Sequence, residues 1–369
     1  MIVDNDHDPI VAFLGLGLIS GSLAGALKHR DWRAELIAWG PRAPSLERGL
    51  ALGLIDRFSL DLSTVVAEAD VIVIGAPPEA TAQLLPEVLD LAFASGEPVV
   101  TDMASIKGVI VEAAGTDYPR FVPGHPIAGS ENSGVEAAYP ELFFGREVIL
   151  TPSGDTDASA LKTVERLWTT AGARITHMSV ADHDAALAAS SHVPHMVAYA
   201  LTSMLADHAL SPMQHGGGAL RDMTRIAAGH PAIWPDICVQ NADPIVDALD
   251  ELISELSAIR DVVSERDRAA LLARLESARV ARRNLPTTIP STEAMSEMRV
   301  PVLDRQGELA AIATLAADLD VNIYDLEIAH SAEGPRGVVV LVVETAMTER
   351  LQGGLMALGY RPSSRSLEA

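Results

Sequence analysis

A short segment around His125 carries the side chains best suited to chemistry in this chain. It reads His125-Pro-Ile-Ala-Gly-Ser-Glu131 and places an imidazole, a hydroxyl and a carboxylate close together. An imidazole titrates near neutral pH and can take a proton from a reacting hydroxyl group. Further polar clusters follow at Ser191-His-Val-Pro-His195 and Arg221-Asp-Met-Thr-Arg225. Histidines combined with arginines indicate an enzyme that handles an anionic small molecule.

A glycine-rich segment near the N-terminus predicts a dinucleotide site. Gly15 and Gly17 follow an apolar run at 10–14, which is typical of a buried strand, and precede a segment predicted as a helix. Glycine permits a tight turn and lets the backbone approach a pyrophosphate, which the helix N-terminus favours electrostatically. The usual third glycine is replaced by Ser20. An ordinary strand-to-helix turn is the alternative interpretation.

The end of the second predicted strand bears on the choice between NAD and NADP. An Asp or Glu at this point would bind the ribose 2′-hydroxyl of NAD. The strand instead ends Ala38-Trp-Gly-Pro-Arg42, without an acid, so Arg42 could meet the 2′-phosphate of NADP or remain a solvated loop residue. NADP is slightly favoured, and both cofactors stay open. The residues expected to contact the cofactor are Gly15, Gly17, Leu18, Ile19, Arg42, Ala76 and Pro77.

Strand and helix patterns divide the chain into successive domains. Over residues 1–179, short apolar runs alternate with helical segments, which predicts an α/β domain with a parallel, doubly wound sheet of the Rossmann type. Residues 180–285 show helical periodicity, including one long helix over Ala248 to Val280. A linker is predicted at 286–298. Residues 299–369 follow a β-α-β-β-α order with a last strand after Gly359, typical of a small ferredoxin-like module.

Composition limits the classes of partner. The chain has 369 residues, is 48% hydrophobic and carries a formal net charge of −23. This acidity argues against nucleic acid and anionic membranes, and it requires a local positive pocket for an anionic substrate. The single Cys238 excludes an internal disulfide framework and a cysteine-based zinc site, and the histidine spacings predict no other metal site. Without a signal segment or a membrane-spanning run, we expect a cytoplasmic protein.

Several segments together resemble one known family. They are Gly15-Leu-Gly-Leu-Ile-Ser-Gly-Ser-Leu23, Thr101-Asp-Met-Ala-Ser-Ile-Lys107, the His125 segment, the Ser191 cluster and Thr224-Arg-Ile226. In this order they resemble the prephenate dehydrogenase family with its arogenate-using relatives, over residues 10–285. The resemblance implies a nucleotide-binding domain followed by a helical domain that forms a homodimer. It also implies NAD(P)-dependent oxidative decarboxylation of prephenate to 4-hydroxyphenylpyruvate in tyrosine synthesis, or of arogenate to tyrosine.

The resemblance further implies roles for individual residues. His125 would be the base for the substrate hydroxyl, and Ser105 would share that hydroxyl and orient His125. Arg225 offers a guanidinium fork to a carboxylate. The other residues expected at the substrate are His192, His195, Ser130, Glu131, Arg221 and Trp234, the last of which resembles a tryptophan that reaches the partner subunit's site. A structural role is the alternative for each of them, and we expect Lys107, His177 and His183 to be structural.

The C-terminal module resembles an ACT domain through Gly307-Glu-Leu-Ala-Ala-Ile312 and Val321-Asn-Ile323. This implies tyrosine as an effector, although Gln306 replaces the proline expected before Gly307. A ligand-free module that adds dimer contact is the alternative. Two other functions stay open for the whole chain. One is a different two-domain dehydrogenase of 3-hydroxy acids, which would carry a catalytic lysine in its helical domain, and the other is a non-catalytic nucleotide or amino-acid sensor.

Overall fold

The computed structural model describes residues 8–367, apart from 31, 130–131, 208–211, 230, 284–294, 304 and 331–335. The chain forms two units. One consists of Met1–Val197 with Ala228–Ser257, and the other of Ala198–Ala227 with Ala258–Ala369. Among the described residues, no helix is both long and apolar enough to cross a membrane.

The first unit is built on a parallel sheet. Its strands are β1 (Ile10–Leu14), β2 (Glu35–Trp39), β3 (Arg57–Ser59), β4 (Val71–Ile74), β5 (Val99–Asp102) and β6 (Phe121–Val122). They lie in the order β3-β2-β1-β4-β5-β6, and every neighbouring pair is parallel. This is the order of a doubly wound dinucleotide-binding sheet, so the predicted Rossmann-type domain is confirmed.

Successive residues of the central strands are buried on opposite faces of this sheet. Val11 and Phe13 of β1 enter one apolar cluster, whereas Ala12 and Leu14 enter another. Because helices cover both faces, the strands read as continuous apolar runs rather than alternating ones. The helices are α1 (Leu18–His29), α2 (Ala43–Ala51), α3 (Leu62–Glu68), α4 (Pro78–Ala94), α5 (Gly108–Ala114) and α6 (Ala158–Thr170).

A second, smaller sheet extends the first unit and includes His125. Its strands are β7 (Gly124–Pro126), β8 (Glu147–Leu150) and β9 (Arg174–His177). β7 pairs antiparallel with β8, which places His125 opposite Ile149, and β8 pairs parallel with β9. The His125 segment therefore begins as a strand, and sheet pairing fixes its backbone.

The helix that follows this sheet contains an irregular turn. α7 (Val180–Leu187) passes into a π-helical turn at Ala188–His192, and α8 (Val193–Ala206) continues from there. Pro194 explains the irregularity, because proline lacks an N–H and its ring crowds the carbonyl four residues earlier. The wider π turn removes that conflict.

The remaining helices differ from the prediction in one respect. They are α9 (Gly218–Thr224), α10 (Trp234–Gln240), α11 (Ala242–Glu265) and α12 (Arg268–Arg283). The single helix predicted over Ala248 to Val280 is therefore wrong, since two helices occupy this range. Arg266 adopts φ +57°, and the Asp267 carboxylate accepts hydrogen bonds from the Ala269 and Ala270 N–H groups at 3.0 Å. A left-handed residue followed by an N-cap ends one helix and starts the next.

The C-terminal part of the second unit is a four-stranded antiparallel sheet with two helices. The elements are β10 (Met295–Leu303), α13 (Glu308–Asp318), β11 (Asp325–His330), β12 (Arg336–Glu344), α14 (Thr348–Ala357) and β13 (Ser363–Ser366). The strand order is β11-β12-β10-β13. β10 starts inside the predicted linker, because Met295 and Met298 are buried side chains. The earlier linker residues, 286–294, lie outside the described residues.

The turn after β1 yields a prediction about stability. Gly15 has φ +94°, and a Cβ built on it would lie 3.0 Å from the Gly75 carbonyl oxygen. We therefore expect Gly15→Ala to lower the free energy of unfolding by about 1–3 kcal/mol, measured by chemical denaturation. Gly17→Ala is the control, because a Cβ there meets nothing within 4 Å. Equal losses in the two variants would contradict this account of the turn.

Candidate active site

The carboxyl ends of β1 and β4 form a cradle of backbone. A Cβ on Gly15 would lie 3.3 Å from the Ala76 backbone nitrogen, so the two turns approach closely. Leu18 and Ile19 open α1, whose first turn holds no acid and whose first N–H groups have no partner within the helix. Open space faces Gly17. This arrangement fits a pyrophosphate held at the helix N-terminus.

The residues predicted at the rest of the cofactor site also follow strand ends. Thr81 Oγ1 donates to the Ala76 carbonyl at 2.9 Å and its backbone N–H to the Pro77 carbonyl at 2.8 Å, which ties the turn after β4 to α4. Arg42 is exposed at the start of α2. Within the described part of the chain its guanidinium makes no hydrogen bond or ion pair. It is therefore available to a ligand.

The strand that carries His125 is anchored by a buried ion pair. Lys107 Nζ contacts the Asp102 carboxylate, and both side chains are fully buried. Lys107 Nζ also donates to the Gly124 carbonyl at 2.7 Å, and the Gly124 N–H donates to Asp102 Oδ1 at 3.2 Å. Burial lowers the pKa of Lys107, and the Asp102 carboxylate opposes that shift. Lys107 is thus paired locally, and it fixes the residue before His125.

His125 belongs to a chain of buried hydrogen bonds that runs through His183 to Asp184. Its Nδ1 lies 2.9 Å from His183 Nε2, and His183 Nδ1 lies 2.7 Å from Asp184 Oδ1. The backbone N–H groups of Lys107 and Gly108 donate to the Asp184 carboxylate at 2.8 and 2.7 Å. His183, Asp184 and His125 are all buried. His183 was expected to be structural, yet it contacts the predicted base directly.

Burial sets the protonation of these groups. It lowers the pKa of His125 well below its usual value, and the nearby Lys107, His183 and His192 lower it further. Burial alone would raise the pKa of Asp184, but hydrogen bonds from His183 and from two backbone N–H groups leave it below its usual value. At neutral pH His125 is therefore uncharged and Asp184 is ionised.

A second histidine cluster joins the same network. His192 in the π turn is buried, and its Nδ1 lies 3.1 Å from Asn241 Nδ2, which also donates to the Asp184 carbonyl at 3.0 Å. Because the amide donates, His192 Nδ1 accepts. Burial lowers the pKa of His192 to about 4. The His195 ring lies 3.9 Å from the Trp234 ring, so both are held beside His192 in the same chain.

The remaining residues predicted at the substrate differ in burial and in hydrogen bonding. Ser105 is half-buried and its hydroxyl has no hydrogen-bond partner in the described ranges, whereas His183 occupies His125 Nδ1. On that nitrogen the ring is oriented by His183. Arg221 and Arg225 lie in the second unit and are exposed. Ser130 and Glu131 lie outside the described residues.

Sequence reasoning missed Asp184 and Asn241. The adjacency of His183 and Asp184 was the one local signal, since a carboxylate beside a histidine can fix the ring that it contacts. His177 was also expected to be structural, and it pairs with Glu165 at 3.1 Å near the surface. No group of three or more potential metal ligands occurs among the described side chains.

Comparison with known families covers most of the chain. Residues 23–177 match the family described as the nucleotide-binding domain of prephenate dehydrogenase. Residues 179–277 match the family described as its dimerization domain.

Individual proteins and solved structures agree with this assignment. The chain is 33% identical to the prephenate dehydrogenase of Bacillus subtilis over 91% of this chain and 92% of that protein. It is 33% identical to the cyclohexadienyl dehydrogenase of Zymomonas mobilis over 75% of this chain and 96% of that protein.

Among solved structures, Aquifex aeolicus prephenate dehydrogenase in complex with hydroxyphenyl propionate and NAD+ matches with a TM-score of 0.68 at 28% identity, covering 75% of this chain and 98% of that one. Synechocystis arogenate dehydrogenase matches with a TM-score of 0.67 at 28% identity, covering 74% of this chain and 98% of that one. The chain therefore belongs to the prephenate dehydrogenase family of oxidoreductases.

Proposed function

We propose that this protein oxidises and decarboxylates prephenate to 4-hydroxyphenylpyruvate, with His125 as the general base. The observation that carries the proposal is a buried imidazole whose Nδ1 is engaged by His183, in the same unit as a backbone cradle that suits a dinucleotide. Membership of the family supplies the reaction class. The alternative of a non-catalytic sensor gives no reason to keep a buried histidine uncharged and hydrogen-bonded in this way.

The reaction needs a proton acceptor at the substrate hydroxyl. His125 takes that proton on Nε2 because Nδ1 is already hydrogen-bonded, and the neutral ring has one nitrogen lone pair for the purpose. When bound, the nicotinamide supplies the acceptor for the hydride from the carbinol carbon. Loss of the ring carboxylate as CO₂ then gives the aromatic product. Ser105 would hold the same hydroxyl.

The substrate is an anion, so the protein must supply donors. Arg225 is proposed to bind a carboxylate through its guanidinium fork, which matters in a chain with a net charge of −23. With Nδ1 of His192 accepting from Asn241, its Nε2 carries the proton and can donate. The remaining proposed substrate contacts are His195, Ser130, Glu131, Arg221 and Trp234.

The substrate and the cofactor each have two candidates within the family. Arogenate, which carries an amino group where prephenate has a keto group, is the second candidate substrate, because a solved arogenate dehydrogenase matches nearly as well. For the cofactor, the exposed Arg42 and the lack of an acid at the end of β2 support NADP over NAD.

We also propose a homodimer with a regulatory C-terminal module. The family match to a dimerization domain supports the first, as do exposed Ile253 and Leu256 on α11. The antiparallel sheet and its element order support an ACT-like module, for which tyrosine is the proposed ligand. A cavity of about 390 Å³ lies beside Gly307 in this module and has room for a small molecule.

His125→Asn tests the catalytic assignment. We expect kcat to fall about 10²- to 10⁴-fold, because a positioned general base contributes that much, while the Kd of the cofactor stays within twofold. Steady-state assays with prephenate and arogenate, each with NAD+ and NADP+, identify which substrate and which cofactor the enzyme uses. His177→Asn is the matched control, since His177 is an exposed histidine. Wild-type kcat in His125→Asn would contradict the assignment.

The lowered pKa of His125 predicts the pH dependence of activity. Protonation disables the base, and burial keeps the imidazole uncharged below its ordinary pKa of about 6.5. We therefore expect kcat/KM to stay level as pH falls to about 6.5 and to drop only at lower pH. A pH–rate profile measures this, with fluorescence verifying that the protein stays folded. An acid limb centred at or above about pH 6.5 would contradict the lowered pKa of His125.

Removal of the C-terminal module tests its role. A chain that ends before Met295 should stay active, since the matching solved structures span about three quarters of this chain and nearly all of their own. We expect tyrosine to inhibit the full chain and the truncated chain to lose that inhibition, because coupling between separate sites requires the effector site. Equal inhibition constants would instead place tyrosine at the catalytic pocket, where it resembles the product.

A further inference from the structure

Two buried groups lie in line behind the predicted base, and the proposed chemistry assigns neither of them a contact with the substrate. His183 and Asp184 both lie on α7, and the chain of contacts runs from His125 Nδ1 to His183 Nε2 at 2.9 Å and from His183 Nδ1 to Asp184 Oδ1 at 2.7 Å. His183 is completely buried. A buried carboxylate and a buried imidazole in line with a base form a geometry that fixes which ring nitrogen of the base carries the proton.

Each hydrogen bond in this chain has a definite direction. The Asp184 carboxylate receives backbone N–H groups on both oxygens, from Lys107 on Oδ1 and from Gly108 on Oδ2, so it acts as an acceptor. His183 Nδ1 must therefore donate to it, and a His183 ring with a single proton then keeps its lone pair on Nε2. His183 Nε2 then accepts from His125 Nδ1. The proton of a neutral His125 is thus on Nδ1, and its Nε2 holds the free lone pair.

We propose that Asp184 and His183 are positioning residues that hold His125 in the tautomer able to accept the substrate proton. This inference rests on the proposed function, since it assigns the orientation of the base in that reaction. When His125 gains a proton on Nε2, the new positive charge is hydrogen-bonded through Nδ1 to His183, whose own Nδ1–H faces the Asp184 carboxylate. This chain of hydrogen bonds from His125 through His183 to Asp184, the relay, therefore also stabilises the imidazolium formed during the reaction.

The surroundings of His125 support an orientation of this kind. The charged and titratable groups that face it are Lys107 at the start of α5, His183 on α7 and His192 in the π turn, with Asp102 paired to Lys107. Lys107 would repel an imidazolium, and the negative charge of the Asp184 carboxylate opposes that repulsion. Reversing the tautomers would require Asp184 to donate, which a carboxylate held by two backbone N–H groups does not do.

Gly108 offers a way to disturb the relay from outside. A Cβ built on Gly108 would lie 2.9 Å from Asp184 Oδ2 and meets no other atom within 4 Å. Gly108→Ala would therefore push the carboxylate without changing any titratable side chain. Alanine otherwise suits a helical position better than glycine does, so this substitution has little other reason to harm the protein.

The first experiment compares kinetics of the full-length protein and its variants. We expect Asp184→Asn to lower kcat about 10²- to 10⁴-fold while the KM and the cofactor Kd stay within about threefold, because an amide can donate to His183 Nδ1 and reverse both tautomers. Gly108→Ala should lower kcat in the same direction by about 10-fold. Asp182→Asn is the matched control, since it removes the same charge from an exposed carboxylate two residues earlier on α7, and its kcat should not change.

The second experiment reads the tautomer without any substrate. Nitrogen-15 NMR of histidine-labelled protein, with the His125 signals assigned by their loss in His125→Asn, should show the proton on Nδ1 in the wild type and on Nε2 in Asp184→Asn. A wild-type His125 protonated on Nε2 overturns the proposal, and so does a folded Asp184→Asn variant with kcat within twofold of the wild type. If Asp184→Asn does not fold, the wild-type spectrum and Gly108→Ala decide.

The outcomes separate this inference from the proposed function. If the wild type turns over neither prephenate nor arogenate, the proposed function fails, while the NMR result still decides the tautomer. If His125→Asn is inactive but Asp184→Asn and Gly108→Ala are fully active, the base assignment stands and the relay is wrong.

Discussion

The Asp184 carboxylate links helix α7 to the start of α5 in the sheet domain. It accepts hydrogen bonds from the Lys107 and Gly108 N–H groups at the start of α5 and from the His183 ring on its own helix. A buried carboxylate is tolerated only with such partners, and each donor left unsatisfied would cost about 1–3 kcal/mol. Lys107 then connects onward through its side chain to Asp102 and to the Gly124 carbonyl. His125 is therefore fixed through its backbone from one side and through its ring from the other.

Much of the sheet domain could be predicted because its information is local. β1 has the bounds predicted from the apolar run at 10–14, since an apolar run that ends at a glycine turn is sufficient evidence for a buried strand. β3 and α3 were missed. β3 has only three residues, all half-buried, and α3 is a short helix of seven residues that begins at an Asp61 N-cap. The helix break at Arg266 was missed for a related reason, because its cap residue, Asp267, lies within a run of charges.

The site was predictable only in part, and sequence distance explains the difference. His125 stood out through its neighbours in the chain, and so did Gly15 and Gly17. His183 contacts His125 across 58 residues, and Asp184 contacts Lys107 across 77 residues. No periodicity records a contact of that kind, so His183 looked like an ordinary buried histidine. The structure shows that His183 contacts the His125 ring and that Lys107 holds the backbone of the residue before His125.

The π turn at residues 188–192 sets the rotational phase of the helix that carries the second histidine cluster. Each residue advances an α-helix by about 100°, so one extra residue in a turn decides which side of α8 faces Trp234. With this offset in place, the centroids of the His195 and Trp234 rings lie 3.9 Å apart. A related chain with one residue fewer here would keep the whole motif and present a different side chain to the tryptophan. A single-residue gap at this turn in an alignment would therefore mark a changed pocket, even between sequences that share every histidine.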